Sequence, residues 1–134
     1  MILVDSSGWI EMLRATGSPA HRTLKRLIYE DAPVATTEMV AGEILAGARN
    51  DLDHVRLRRE LMATRFVPVD GFDGFERAAR LVQDCRAQGI TASLTDCLVA
   101  APAIAAGAAV LHADADFDRI ASATALEVYP LDAA

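Results

Sequence analysis

The chain has 134 residues, of which 52% are hydrophobic and 24% are charged, and its formal net charge is −6. This composition is typical of a folded domain and excludes a disordered chain. No apolar run approaches the roughly 18 residues of a membrane span. The negative charge alone argues against a nucleic-acid partner. We expect one domain over residues 1–134, in the cytoplasm and without a signal peptide.

Strand and helix patterns alternate along the whole chain. Short apolar runs predict strands at 1–4, 33–36, 66–69 and 108–111, with a last strand around 128–129. Helices are predicted over 6–13, 19–30, from 37 onward, 51–64, 72–88 and 93–107, with a helical turn at 117–120. Ser6 or Ser7 is the expected cap of the first helix, and Pro68 indicates an edge strand or a bulge. The alternation predicts an α/β fold with a central parallel sheet of about five strands flanked by helices.

Acidic residues follow two of these strands directly. Asp5 comes after the first strand, and Asp114 and Asp116 come just after the fourth. Ligands of open α/β sheets bind at the carboxyl ends of strands, so acids at these positions indicate a site. Helix capping is the competing explanation, for Asp5 before the first helix and for Asp116 before the turn through Arg119.

Two further acids lie in helices. Glu43 follows the Thr37 cap by about two turns and is expected near an apolar face, whereas Glu38 points to a different side. Asp96 stands three residues after Ser93, which is also a capping-box position. We expect the N-terminus of that helix to lower the pKa of Asp96 and keep it ionised.

Carboxylates from four separated segments repel one another unless a cation lies among them. Ligand sets made only of oxygen select hard ions, so Mg²⁺ or Mn²⁺ is expected. Such an ion can activate water and stabilise the charge on a phosphodiester. It also supplies the positive charge that an acidic protein needs to attract such a substrate.

The chain resembles the PIN-domain nucleases, and more narrowly the toxins of VapBC-type toxin–antitoxin pairs. The resemblance rests on four segments in order, at 4–10, 43–47, 94–96 and 114–117. It implies an acidic site made of Asp5, Glu43, Asp96 and Asp114, with Asp116 as a further ligand or supporting acid. It also implies Mg²⁺- or Mn²⁺-dependent endoribonuclease activity on structured RNA such as tRNA or rRNA. A small cognate antitoxin and a homodimer or hetero-oligomer are the implied partners.

The chain departs from that family pattern at two positions. His112 stands where the family usually has Thr or Ser, and a structural histidine competes there with a ligand or a proton shuttle. Pro102 interrupts the helix after Asp96 and should kink it.

Two other functions stay open at this point. In a catalytically silent module, an apolar surface near Trp9, Leu13 and 24–28 would bind the antitoxin. In a receiver-like phosphoacceptor domain, Asp70 would be phosphorylated. That class resembles a family in which a lysine contacts the phosphorylated Asp, and this chain has no lysine beyond Lys25.

Two other sets of residues are assigned from the sequence alone. The basic stretch 49–65 is interpreted as a solvated face or as a phosphate or partner contact. Cys85 and Cys97 are interpreted as reduced core thiols.

Overall fold

Five short strands alternate with seven helices over residues 1–133, the part of the chain that the computed structural model describes. The strands are β1 (Ile2–Val4), β2 (Val34–Thr36), β3 (Arg65–Phe66), β4 (Ala109–Leu111) and β5 (Glu127–Val128). The helices are α1 (Ser6–Leu13), α2 (Pro19–Tyr29), α3 (Glu38–Ala46), α4 (Asp51–Met62), α5 (Gly71–Ala87), α6 (Leu94–Ala106) and α7 (Asp116–Ala123). The predicted fold class is confirmed. Within this range no helix is both long and apolar enough to cross a bilayer.

The sheet has the order β3-β2-β1-β4-β5, and every pairing in it is parallel. β1 and β2 are fully buried because helices cover both faces of the sheet. Val4 pairs with Leu111 in the register of β1 against β4. The carboxyl ends of these two neighbouring interior strands therefore lie side by side.

The helix α1 begins differently from the prediction. Its N-cap is Asp5, whose side chain accepts a hydrogen bond from the backbone N–H of Ser7. The prediction that Ser6 or Ser7 caps this helix is wrong, because both serines already have helical geometry and Asp5 has the extended backbone that a cap requires.

Smaller differences concern strand and helix lengths. β3 ends at Phe66, before Pro68, and lies at the sheet edge as that proline indicated. α7 is twice the predicted turn and reaches Ala123. Pro102 lies inside α6, which continues to Ala106, so this proline does not end the helix.

The core contains both cysteines. Cys85 and Cys97 are free and buried, as predicted. Burial is the largest cause of the raised pKa of the Cys97 thiol, which is about 12. Both side chains therefore behave as small apolar groups between α5 and α6.

Candidate active site

Asp5 is a buried carboxylate at the exit of β1, with 5% of the residue exposed. Its Oδ2 accepts two hydrogen bonds, from the Ser7 backbone N–H at 3.0 Å and from the Ser7 hydroxyl at 2.6 Å. The same hydroxyl accepts the backbone N–H of Ala113 at 3.0 Å. The helix-cap explanation of Asp5 is thus confirmed, and its carboxylate also lies near enough to Asp96 for its charge to raise the pKa of Asp96.

Glu43 lies on the solvent side of α3, where its Oε1 accepts a hydrogen bond from the Ser6 hydroxyl at 3.1 Å. Glu43 is exposed, although its neighbour Ile44 is buried. Glu38 has a structural role instead, because its Oε1 accepts the backbone N–H of Val69 at 2.8 Å. The expectation that the two glutamates point to different sides is confirmed.

Asp96 lies in the first turn of α6, where Ser93 is the N-cap and accepts the Asp96 backbone N–H at 3.0 Å. Its pKa is raised above its usual value of 3.8, mainly because burial disfavours the charged form. The charges of Asp114, Asp5 and Glu43 raise it further, whereas a hydrogen bond with Ser93 lowers it. The prediction that the helix N-terminus depresses this pKa is wrong, because burial and like charges outweigh it.

Asp114 and Asp116 form a tight turn after β4. Asp114 Oδ1 accepts the backbone N–H of Asp116 at 2.9 Å, so Asp114 rather than Asp116 supplies the polar contact at the start of α7. Asp116 pairs with Arg119, one turn further along that helix. Carboxylate oxygens of Asp96, Asp114 and Asp116 all lie within 4.8 Å of one another.

His112 is buried at the end of β4 and uses both ring nitrogens. Nδ1 accepts the backbone N–H of Asp114 at 3.0 Å, and Nε2 lies 3.1 Å from Asp118 Oδ1. The structural interpretation of this histidine is favoured, since neither nitrogen is available to a ligand in this arrangement. The side chain of Asp118 is exposed and is the group that His112 Nε2 contacts.

The structure brings the predicted acids to one edge of the sheet. Three of them form the cluster of oxygens, and Asp5 and Glu43 are near enough for their charges to act on Asp96. Sequence reasoning missed the supporting residues Ser6, Ser7 and Asp118. A signal was present, because hydroxyls directly after an acid at a strand end can bind that acid as well as cap a helix.

The comparisons with known proteins agree with this geometry. The family model of the PIN domain matches residues 2–123, which defines the class of fold and site. Ribonuclease VapC11 of Mycobacterium tuberculosis is 44% identical over 129 residues, covering 95% of this chain and 96% of that protein. The chain therefore belongs to the VapC ribonucleases of the PIN-domain family.

Two solved structures share the fold. VapC20 of M. tuberculosis, described as a toxin that cleaves the sarcin-ricin loop, has a TM-score of 0.69 and 26% identity over 97% of this chain and 100% of that one. VapBC2 from Rickettsia felis, bound to a DNA fragment from its promoter, has a TM-score of 0.75 and 16% identity over 96% and 98%. The second likeness concerns the fold alone.

Family membership leaves no support for the receiver-like interpretation. Asp70 is exposed before α5 and pairs with Arg77 at 3.2 Å, outside the acidic cluster. Lys25 lines a groove formed by α1, α2 and α4, together with the residues at the starts of β2 and β3. That groove adjoins the amino ends of the strands, whereas the acids lie at the carboxyl ends.

Proposed function

We propose that this chain is the toxin of a toxin–antitoxin pair and cleaves structured RNA, such as tRNA or rRNA, with the help of Mg²⁺ or Mn²⁺. The observation that carries the proposal is the group of carboxylate oxygens from Asp96, Asp114 and Asp116 within 4.8 Å of one another. The ribonuclease relatives support it, and the VapC20 description supports structured RNA as the substrate class.

The residues at the site fit a hard divalent cation. Every candidate ligand is a carboxylate, namely Asp5, Asp96, Asp114 and Asp116, and oxygen-only sets favour Mg²⁺ or Mn²⁺. The raised pKa of Asp96 reflects burial and negative charge that the protein does not fully balance. Asp116 forms an ion pair with Arg119, so Asp114 is the stronger candidate for direct contact with the metal ion.

The side chains divide the work of hydrolysis. A divalent ion bound here supplies positive charge to the phosphate and acidity to water. Glu43, whose Oε1 accepts a hydrogen bond from the Ser6 hydroxyl, is the residue proposed to orient a water molecule and accept its proton. The water oxygen would then bond to phosphorus while the bond from phosphorus to the 3′ oxygen breaks. The 3′ oxygen would take a proton from solvent, which yields a 5′-phosphate and a 3′-hydroxyl.

A groove of about 740 Å³ on the opposite side is the proposed place for the antitoxin. Leu13 and Ile28 are 38% and 46% exposed along it, whereas Trp9 and Leu24 belong to the core. Three basic and two acidic residues also line the groove, namely Lys25, Arg56, Arg65, Asp31 and Glu60. An antitoxin segment with apolar residues and a small excess of acidic ones would complement this lining.

The basic stretch is solvated in part. Arg49 and Arg56 both pair with Asp53, at 3.6 Å and 2.8 Å. These pairs support the interpretation of a solvated helix face, and Arg56 additionally reaches the groove.

A homodimer or a hetero-oligomer with the antitoxin is the proposed assembly. The cytoplasm is the proposed location of this activity.

The test is cleavage of total RNA by the purified chain with Mg²⁺, Mn²⁺ or EDTA, followed by mapping of the new ends. We expect a few discrete cuts with 5′-phosphates, only with metal present. Asp5→Asn and Asp96→Asn should abolish cleavage while the protein stays folded, and Glu76→Gln on the exposed face of α5 is the matched control. If the chain cleaves RNA with neither metal, the silent antitoxin-binding module is favoured. Full activity of both variants would refute the proposal that these acids form the catalytic site.

A further inference from the structure

His112 is held by two partners on opposite sides of its ring. The residue is 7% exposed, and Phe117 packs beside it with ring centroids 5.3 Å apart and the planes inclined by 33°. The backbone N–H of Asp114 reaches Nδ1 at 3.0 Å, and Asp118 Oδ1 lies 3.1 Å from Nε2. The ring therefore bridges the loop that carries Asp114 and the first turn of α7.

These contacts fix which nitrogen carries the proton. A backbone amide can only donate, so Nδ1 must accept and is unprotonated. Nε2 then carries the hydrogen and donates it to the Asp118 carboxylate. Asp118 thus selects the tautomer of His112 that can receive the Asp114 amide.

The Asp114 amide belongs to the turn that shapes the acidic cluster. Its N–H is held by His112, and Asp114 Oδ1 in turn accepts the N–H of Asp116. Rotation of the Asp114 peptide would therefore move both carboxylates that face Asp96. Asp118 lies outside the cluster of oxygens and its side chain is 64% exposed.

We propose that His112 and Asp118 are positioning residues that hold the Asp114 turn in the geometry the metal requires. The inference rests on the proposed function, since it assigns these two side chains to the same acidic site. His112 acts through the Asp114 backbone and Asp118 acts through the His112 tautomer. Neither side chain is a ligand in this arrangement, and both are needed to place Asp114 and Asp116 opposite Asp96.

The first test uses two amides that each replace half of the imidazole. His112→Asn places an oxygen near Nδ1 and keeps the acceptor for the Asp114 N–H, whereas His112→Gln places its amide near Nε2 and loses that acceptor. We expect Mn²⁺ affinity, measured by calorimetry, to fall about tenfold or more in His112→Gln and to stay within about threefold of wild type in His112→Asn. Equal losses in the two variants would overturn the proposal, because packing alone would then explain the effect.

The second test changes only exposed Asp118. Asp118→Ala should weaken Mn²⁺ binding several-fold with unchanged circular dichroism, and Asp118→Asn should retain most of the affinity because its oxygen still accepts from Nε2. Asp73→Ala, which removes an exposed acid from the first turn of α5, controls for loss of charge. Wild-type affinity in Asp118→Ala would contradict the proposal.

A third measurement is independent of metal and of cleavage. Nitrogen-15 NMR of the metal-free protein should show His112 with an unprotonated Nδ1 and a protonated Nε2, and Asp118→Ala should shift this population. The opposite tautomer in the wild type would overturn the inference. If the tautomer is as expected but the wild type binds no metal and cuts no RNA, the proposed function fails while the hydrogen-bonded arrangement stands.

Discussion

The hydroxyl of Ser7 lies 2.6 Å from Oδ2 of Asp5 and donates its hydrogen to that buried carboxylate. Its lone pair accepts the N–H of Ala113, directly before Asp114. One side chain thereby connects the exit of β1 to the exit of β4. A charge-assisted bond of this length also orients the carboxylate, since it fixes which oxygen remains free to face the cluster.

Ser7→Ala should lower both RNA cleavage and Mn²⁺ affinity by about tenfold, because Asp5 loses its strongest donor and the Ala113 amide loses its acceptor. Ser7→Thr keeps the hydroxyl and should recover most of the activity. Ser122→Ala is the control, since the Ser122 hydroxyl donates to the carbonyl of Arg119 within α7, away from the acidic cluster. The measurements are the cleavage rate and the calorimetric Mn²⁺ affinity of the three variants. Wild-type activity in Ser7→Ala would show that the Ser7 hydroxyl does not support the acidic site.

Two substitutions of Asp5 should distinguish its contribution to stability from its contribution to catalysis. Asn is as good an N-cap as Asp, so the free energy of unfolding of Asp5→Asn should lie within about 0.5 kcal/mol of the wild-type value. The variant should nevertheless be inactive. Asp5→Ala removes the cap and should cost a further ~1 kcal/mol or more. Urea unfolding by circular dichroism measures both, in EDTA so that metal does not contribute. Equal stability of the two variants would show that the cap at α1 contributes nothing.

Much of the site could be predicted from the sequence because it depends on strand ends. Apolar runs followed by acids locate Asp5 and Asp114, and parallel topology brings such ends to one edge. The pairing of Val4 with Leu111 then sets them side by side.

Other features required distances that the sequence does not contain. Both Asp5 and the serines are good caps, and only the extended backbone of Asp5 decides between them. The pKa of Asp96 depends on burial and on three carboxylates from other segments, which a helix-dipole argument omits. The lining of the groove also could not be predicted from the sequence. Trp9 and Leu13 are both apolar residues of one helix, but Trp9 lies in the core and Leu13 is exposed.

Asp96 should make the metal-free protein less stable as the pH rises. Its pKa is higher in the folded state than the usual 3.8, so the folded state binds the proton more tightly than the unfolded state does. The associated stabilisation is complete below the unfolded pKa and is lost as the pH rises through the folded one. In EDTA, Asp96→Asn should therefore be more stable than wild type at pH 7, and this difference should vanish as the pH falls below 3.8.

Metal reverses the sign of that comparison. Saturating Mg²⁺ or Mn²⁺ binds the folded wild type and should raise its melting temperature, whereas Asp96→Asn should respond little. Differential scanning calorimetry of both proteins, with and without metal, measures this. A variant less stable than wild type at pH 7 in EDTA would show that Asp96 is not under the repulsion described.

Gly74 and Gly42 form a matched pair of helix glycines with opposite expected effects. A Cβ on Gly74, in the first turns of α5, would overlap the backbone carbonyl oxygen of Val69, which cannot move away as a flexible side chain would. Gly74→Ala should therefore lose about 3 kcal/mol or more. A Cβ on Gly42 in α3 would meet nothing within 4 Å, so Gly42→Ala should gain up to ~1 kcal/mol from helix propensity. Urea midpoints of the two variants test this, and a stable Gly74→Ala protein would show that the loop before α5 lies farther from the helix.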